Sequence, residues 1–244
     1  MSAILVLGSK PGPALPPASA YDRLACANGS GASAAKLGLP EPALTVMSAI
    51  LTSGIESGRQ TLTALRGLTT DELHFFPRPP KASRLRKRLA QPLVAWRTRP
   101  SELKKRLQAV DYRYRRFVDH DYGFYQGMID QLCADDVEVT RQMQCKQPST
   151  GLITILLALS RSERVIVAGF SFELTHAYDH NPEIDQRGTR ASRHADTDIT
   201  ILRCLSRRYP GLTTSEAVVS ENTSIPIFTE NSQHCASPTP STQP

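Results

Sequence analysis

The chain has 244 residues, 40% of them hydrophobic, and 29 Lys and Arg against 23 Asp and Glu give a net charge of +6. This is enough apolar chain to bury the core of one large α/β domain or two small ones, and it excludes wholesale disorder. The longest apolar runs, such as Leu152–Leu159, fall far short of the roughly 20 residues a bilayer span needs.

Met1–Leu7 has neither the basic start nor the long apolar centre of a secretory signal and reads as a strand. It ends at Gly8 and enters Ser9-Lys10-Pro11-Gly12-Pro13, the way many nucleotide-binding α/β domains open. Arg23–Asn28 reads as a second short strand, Ala32–Leu37 as a helical turn and Ala43–Leu51 as a third strand. Alternating strand, loop and helix favours a parallel sheet with covering helices. Arg78–Arg116 is dense in Arg and Lys and broken by prolines. Within it Ser101–Val110 reads as a helix capped by Ser101, with Leu103, Leu107 and Val110 on one face. Asp119–Met128, rich in Tyr and Phe, reads as a loop or lid. Leu152–Leu159 is a helical run after Ser149-Thr150-Gly151, and Arg164–Gly169 is a β-branched strand of the parallel-sheet kind. A helix begins near Asp196 and stops at Pro210-Gly211, Ala217–Ser220 reads as a last short strand, and Thr229–Pro244 as a disordered tail.

Five cysteines, Cys26, Cys133, Cys145, Cys204 and Cys235, form no C-x-x-C pair and have no His at zinc spacing. An odd count without a secretory signal points to reduced thiols in a cytoplasmic protein. On that ground the sequons at Asn28 and Asn222 are discounted.

Three segments carry candidate chemistry. The Gly8 turn offers backbone N–H groups at a strand end, where a phosphate can approach. Ser149-Thr150-Gly151 places two hydroxyls and a glycine at a helix N-terminus, which suits an anion or, on spacing alone, an ordinary N-cap. His194 lies just before a helix N-terminus, a position that disfavours imidazolium and leaves a ring able to accept a proton. Asp196-Thr197-Asp198 reads as helix capping, with a metal-binding D-x-D as the competing reading.

Together these segments resemble sialyltransferases. Pro148-Ser149-Thr150-Gly151 with the downstream Gly169-Phe170 looks like the short sialyl motif of the animal-type enzymes. His194-Ala195-Asp196-Thr197-Asp198-Ile199 followed by a helix is similar to the bacterial inverting family. The resemblance covers Cys145–Ser224, extends more loosely over the first fifty residues, and departs at Ser9-Lys10, where Asn-Gly is usual. It implies an α/β fold with a Rossmann-like parallel sheet flanked by helices, in one domain over 1–228, with a basic, partly helical lid insertion over about 70–130. It also implies inverting, metal-independent transfer of sialic acid or a related acidic sugar from a CMP-linked donor to a glycan or glycolipid hydroxyl, with no cofactor. His194 would be the base and Tyr178 would hydrogen-bond the departing phosphate. Gly8, Ser9 and Asn28 would hold the CMP portion and the sugar, Ser149, Thr150 and Gly151 the donor's carboxylate or phosphate, and Gly169, Phe170, Ser171 and Phe172 would line the nucleotide pocket. The basic stretch suits a lid over an acidic donor, or contact with anionic lipid at the inner face of a membrane. Nucleic acid is not the partner expected, though a basic nucleic-acid binder and a non-catalytic sugar-nucleotide binder remain the alternatives.

Overall fold

The central strands are short, largely apolar runs because helices cover both faces of the sheet there. The computed structural model describes residues 2–52, 54–77, 98–121, 123–133, 135–173 and 191–230. Its strands are β1 (Ala3–Leu7), β2 (Arg23–Ala27), β3 (Leu44–Ser48), β4 (Thr69–Phe76), β5 (Arg113–Asp119), β6 (Arg164–Ala168) and β7 (Leu212–Thr214). All seven pair in parallel in the order β5-β4-β3-β2-β1-β6-β7. The sheet is thus Rossmann-like, as the sequence predicts. Progression runs one way from β1 through β5 and the other way through β6 and β7, so the switch point lies between β1 and β6. Open parallel sheets bind ligands at the carboxyl ends of the strands beside such a point.

The helices are α1 (Ser30–Lys36), α2 (Glu56–Ala64), α3 (Pro100–Ala109), α4 (Phe124–Cys133), α5 (Val137–Cys145), α6 (Thr150–Leu159), α7 (Ala195–Arg208) and α8 (Ala217–Thr223). Alternate residues of each strand feed opposite layers. Ile4, Val6, Ala25, Val46, Val165 and Val167 pack against α4 to α8. Leu5, Leu7, Leu24, Cys26 and Ile166 pack with Ala34 of α1 on the other face, and Met47, Leu73 and Phe75 with Leu62, Leu103 and Leu107 of α2 and α3. At the centre lies α6, whose Leu152–Leu159 is buried throughout and touches β1, β2, β3 and β6.

Three local readings change. Ala217–Ser220, expected as a strand, is the start of α8, with Val219 and Thr223 buried one helical turn apart; a four-residue apolar run does not distinguish the two states. Asp119–Met128 is not a loop throughout: Asp119 closes β5, and α4 buries Tyr125, Met128, Ile129 and Leu132 at helical spacing. Helix α3 starts on Pro100, with Arg99 rather than Ser101 at the N-cap. The basic stretch expected as an insertion supplies β4, β5, α3 and α4 to the main body, while residues 78–97 lie outside the described residues. On the β5 edge, Arg113, Arg115 and Arg116 face Asp111, Asp71 and Glu72 at 3.1–3.3 Å.

Beneath that edge runs a buried polar column. Glu72, His74 and Phe76 alternate along β4 onto one face, and His74 Nδ1 lies 2.6 Å from His120 Nε2. The His120 ring stacks on Phe76 and Phe124 at 4.5 and 3.9 Å. Burial, reinforced by His74 and Arg161, holds His120 down at about 4. Burial pushes the Glu72 carboxyl up, but hydrogen bonds from Arg161 and His74 outweigh it and hold the group at about 2. His120 is charged more readily when unfolded, so its contribution is fully present above about pH 6.5 and is lost as pH falls toward its folded value. Urea denaturation is expected to show stability falling by up to about 3 kcal/mol between about pH 6.5 and about pH 4. In His120→Phe that acid-side loss is expected to shrink but not vanish, because burial also holds His74 down.

Candidate functional site

At the switch point the backbones of β1 and β6 come too close for side chains. A Cβ on Gly8 would lie 2.2 Å from the Gly169 carbonyl oxygen, and Gly169 itself has φ +73°, a region open to glycine at little cost. Gly8 N–H donates to Ala168 O at 2.8 Å, and Lys10 N–H donates to Gly169 O at 2.9 Å. A residue that sequence reasoning missed holds this crossing. Glu216 heads α8 and is 2% exposed. Its Oε1 accepts Gly169 N–H at 2.8 Å and Ala14 N–H at 3.1 Å, and its Oε2 meets Lys10 Nζ at 2.5 Å. Ser30, also unforeseen, ties the neighbouring strand ends: its hydroxyl donates to Leu7 O and accepts Ala27 N–H, both at 2.8 Å.

The crossing forms one wall of a cleft of about 330 Å³. Gly8, Ser9, Asn28, Ser149, Thr150, Gly151, Gly169, Phe170, Ser171, Phe172 and His194 all line it. Residues from five separate stretches of chain thus meet at the carboxyl ends of the strands, whereas Tyr178 lies outside the described residues. Asn28, at φ +48°, directs Oδ1 to accept Ser48 N–H at 3.0 Å, which leaves its amide N–H₂ as the donor available to a ligand. A Cβ on Gly151 would sit 2.6 Å from the Phe170 ring, so that ring would have to shift to admit one. Ser149 caps α6, its hydroxyl accepting Leu152 N–H at 3.1 Å. By helix geometry the N–H groups of Thr150 and Gly151 have no intrahelical acceptor, which makes this terminus attractive to an anion.

His194 is the N-cap of α7. Its Nδ1 lies 2.7 Å from Gln147 O, so Nδ1–H donates there and Nε2 carries the lone pair. Arg193 Nε donates to that Nε2 at 3.1 Å. The capping role expected for Asp196 and Asp198 is corrected: α7 has no side-chain cap. Asp196 faces outward to Lys146 at 3.1 Å, and Asp198 turns inward to accept Ser149 N–H at 2.9 Å. The two carboxylates therefore do not converge as a D-x-D metal site. Among the described residues no group of three or more His, Cys, Asp or Glu side chains is placed to hold a metal ion.

Fold and site define an open parallel α/β protein with an anion-suited cleft at its switch point. No protein-family model and no curated protein matches the chain by sequence. Solved structures do match. A single-substitution variant of the sialyltransferase CST-II, in complex with CMP, superposes with a TM-score of 0.53 at 12% identity, over 93% of this chain and 86% of that one. CstII from Campylobacter jejuni with the substrate analogue CMP-3FNeuAc gives 0.49 at 12% identity, over 93% and 86%. The monofunctional alpha-2,3-sialyltransferase Cst-I of the same organism gives 0.46 at 11%, over 94% and 83%. The chain therefore shares the fold of the CST-II sialyltransferase along nearly its whole length.

Removing the buried tie tests this construction. Glu216→Ala leaves the buried Gly169 N–H without an acceptor and is expected to cost about 2–4 kcal/mol, lowering Tm by roughly 5–15 °C. Glu216→Gln, which keeps an acceptor, is expected to lose about half as much by calorimetry.

Proposed function

We propose that the chain is an inverting, metal-independent glycosyltransferase of the sialyltransferase kind, which moves sialic acid or a related acidic sugar from a CMP-linked donor to a glycan or glycolipid hydroxyl. One observation carries this reading: His194, with its tautomer set by Gln147 O, lines the same cleft as the Gly8–Gly169 crossing and the N-terminus of α6. A base, a close backbone approach for a nucleotide and an anion-suited helix terminus are what such a transfer requires. The shared fold supports it, since the matching CST-II variant is a CMP complex.

The donor's phosphate and carboxylate would lie near Thr150 and Gly151, with the nucleotide against Gly8, Ser9, Asn28 and Gly169–Phe172. The acceptor hydroxyl would replace Arg193 at His194 Nε2 and lose its proton there as its oxygen attacks the anomeric carbon from the face opposite the leaving group. The sugar–phosphate bond breaks and CMP departs as an anion, a leaving group that needs no strong acid. Tyr178 would hydrogen-bond that phosphate. The divergence of Asp196 from Asp198 supports a reading without a metal at these two residues.

Among the described residues no helix is long and apolar enough to cross a membrane. A cytoplasmic protein touching the inner face of a membrane through its basic region fits the same reading, because a glycolipid acceptor lies there. One observation favours a second reading, a sugar-nucleotide binder without catalysis: the Arg193 contact already occupies the His194 nitrogen that would take the proton.

Thermal unfolding separates these readings. CMP at about 100 times its Kd is expected to stabilise the fold by roughly 2.7 kcal/mol, unchanged by chelator, with AMP and UMP giving little. No shift with any nucleotide would leave only the shared fold. His194→Ala is expected to bind CMP as the parent does while transfer falls about 10²- to 10⁴-fold. A parent chain that binds CMP yet transfers nothing would establish the binder.

A further inference from the structure

The two helix N-termini bordering the cleft are joined by one carboxyl. Asp198 sits in the first turn of α7, is 8% exposed, and accepts the Ser149 N–H on Oδ1 at 2.9 Å. Ser149 in turn caps α6. The acid therefore lies behind the turn whose next two N–H groups are suited to an anion. A full negative charge buried there opposes any anion the helix terminus attracts, because little water intervenes to screen it. A neutral carboxyl removes that opposition, and its carbonyl oxygen still accepts from Ser149.

We infer that Asp198 is a positioning residue that holds the Ser149–Gly151 turn in place and takes up the proton that accompanies binding of an anionic nucleotide. The inference rests on the nucleotide-binding reading above. In the binding step one proton passes from solvent to the Asp198 carboxylate, an O–H bond forms, and no other bond changes.

The surroundings support it. Burial pushes Asp198 up to about 7, against hydrogen bonds from Ser149 that pull it down. Nearby charges are directed elsewhere: Asp196 pairs with Lys146, Arg193 bonds to His194, and His194 Nδ1 is held by Gln147. Helix α6 carries no ionisable side chain. On the helices packed against α7, Glu138 and Arg141 of α5, Asp130 of α4 and Glu221 of α8 are exposed. The thiols of Cys133 and Cys204 are buried and held neutral, their titration pushed up by burial. Below about pH 7 the carboxyl is already neutral, so binding needs no proton; above it, binding must take one up and affinity falls as pH rises.

Calorimetry of CMP binding between about pH 6 and about pH 9 tests this in wild type and Asp198→Asn, in buffers of low and high ionisation heat, with cytidine as the uncharged control. Asparagine keeps an acceptor for Ser149 and cannot ionise. The ratio of wild-type to variant Kd is expected to be about 1 near pH 6 and to approach about 10 near pH 8.5, the effect of a one-unit shift in the acid on binding. In that ratio the ionisation of the CMP phosphate cancels. Near pH 7.5 wild type is expected to take up about half a proton more with CMP than the variant does, and neither any with cytidine. One shared pH dependence, or a constant factor between the two proteins, would make Asp198 a structural tie only and overturn the inference while CMP binding stands. Failure of the wild type to bind CMP at any pH would overturn both. If the variant does not fold, infrared difference spectra of the wild type near pH 8.5 decide: a carboxylic-acid carbonyl band appearing with CMP supports proton uptake, and its absence overturns it.

Discussion

Everything at the site depends on how closely β1 and β6 approach where they leave the sheet. At the switch point the two chains turn away in opposite directions, and the crossing of Gly8 and Gly169 admits no Cβ at Gly8. Such a crossing leaves backbone N–H groups away from water, and an unmade hydrogen bond there costs more than a made one contributes. Glu216 resolves this by taking two N–H groups on one oxygen and a lysine on the other. A buried carboxylate is tolerated because it is paired and fully bonded. The crossing becomes a fixed wall against which a flat, polar ligand can lie.

The opposite wall is set by the apolar packing of α6. Its side chains are buried from Leu152 to Leu159, so the helix cannot slide or rotate without exposing a core that touches four strands. Its N-terminus is therefore fixed at the strand ends. Helix α7 is referred to that fixed point twice, through Asp198 to Ser149 N–H and through His194 to Gln147 O. The ring is thus oriented by backbone atoms of the segment that also presents the anion-suited N–H groups. The His194 ring and the start of α6 belong to one rigid construction although they are more than forty residues apart in sequence.

Much of this was legible from residue patterns. The runs at β1, β2 and β6 are short, apolar and followed by Gly or Asn, which is how a parallel strand entering a loop is written. The Ser149 cap and the long apolar run behind it announced α6. Less was legible where the signal is local and short, as at Ala217, whose four residues suit strand or helix until the burial of Val219 and Thr223 separates them. The basic stretch misdirected attention from β4 and β5, because an edge strand exposed on one side carries Arg at positions where a buried strand carries Val.

By itself the sequence determined the α/β class, the anion-suited helix start at Ser149-Thr150-Gly151, and the set of polar residues able to serve a nucleotide. These follow from periodicity, capping and backbone freedom, which act over a few residues. Only the tertiary structure decided that β1 and β6 are neighbours, that Glu216 binds across their crossing, and that Asp196 and Asp198, two residues apart, face solvent and core respectively. It also decided which nitrogen of His194 holds the proton. Each of these depends on atoms brought together from distant segments, and hydrogen bonds over about 3 Å leave no trace in the spacing of the residues that make them.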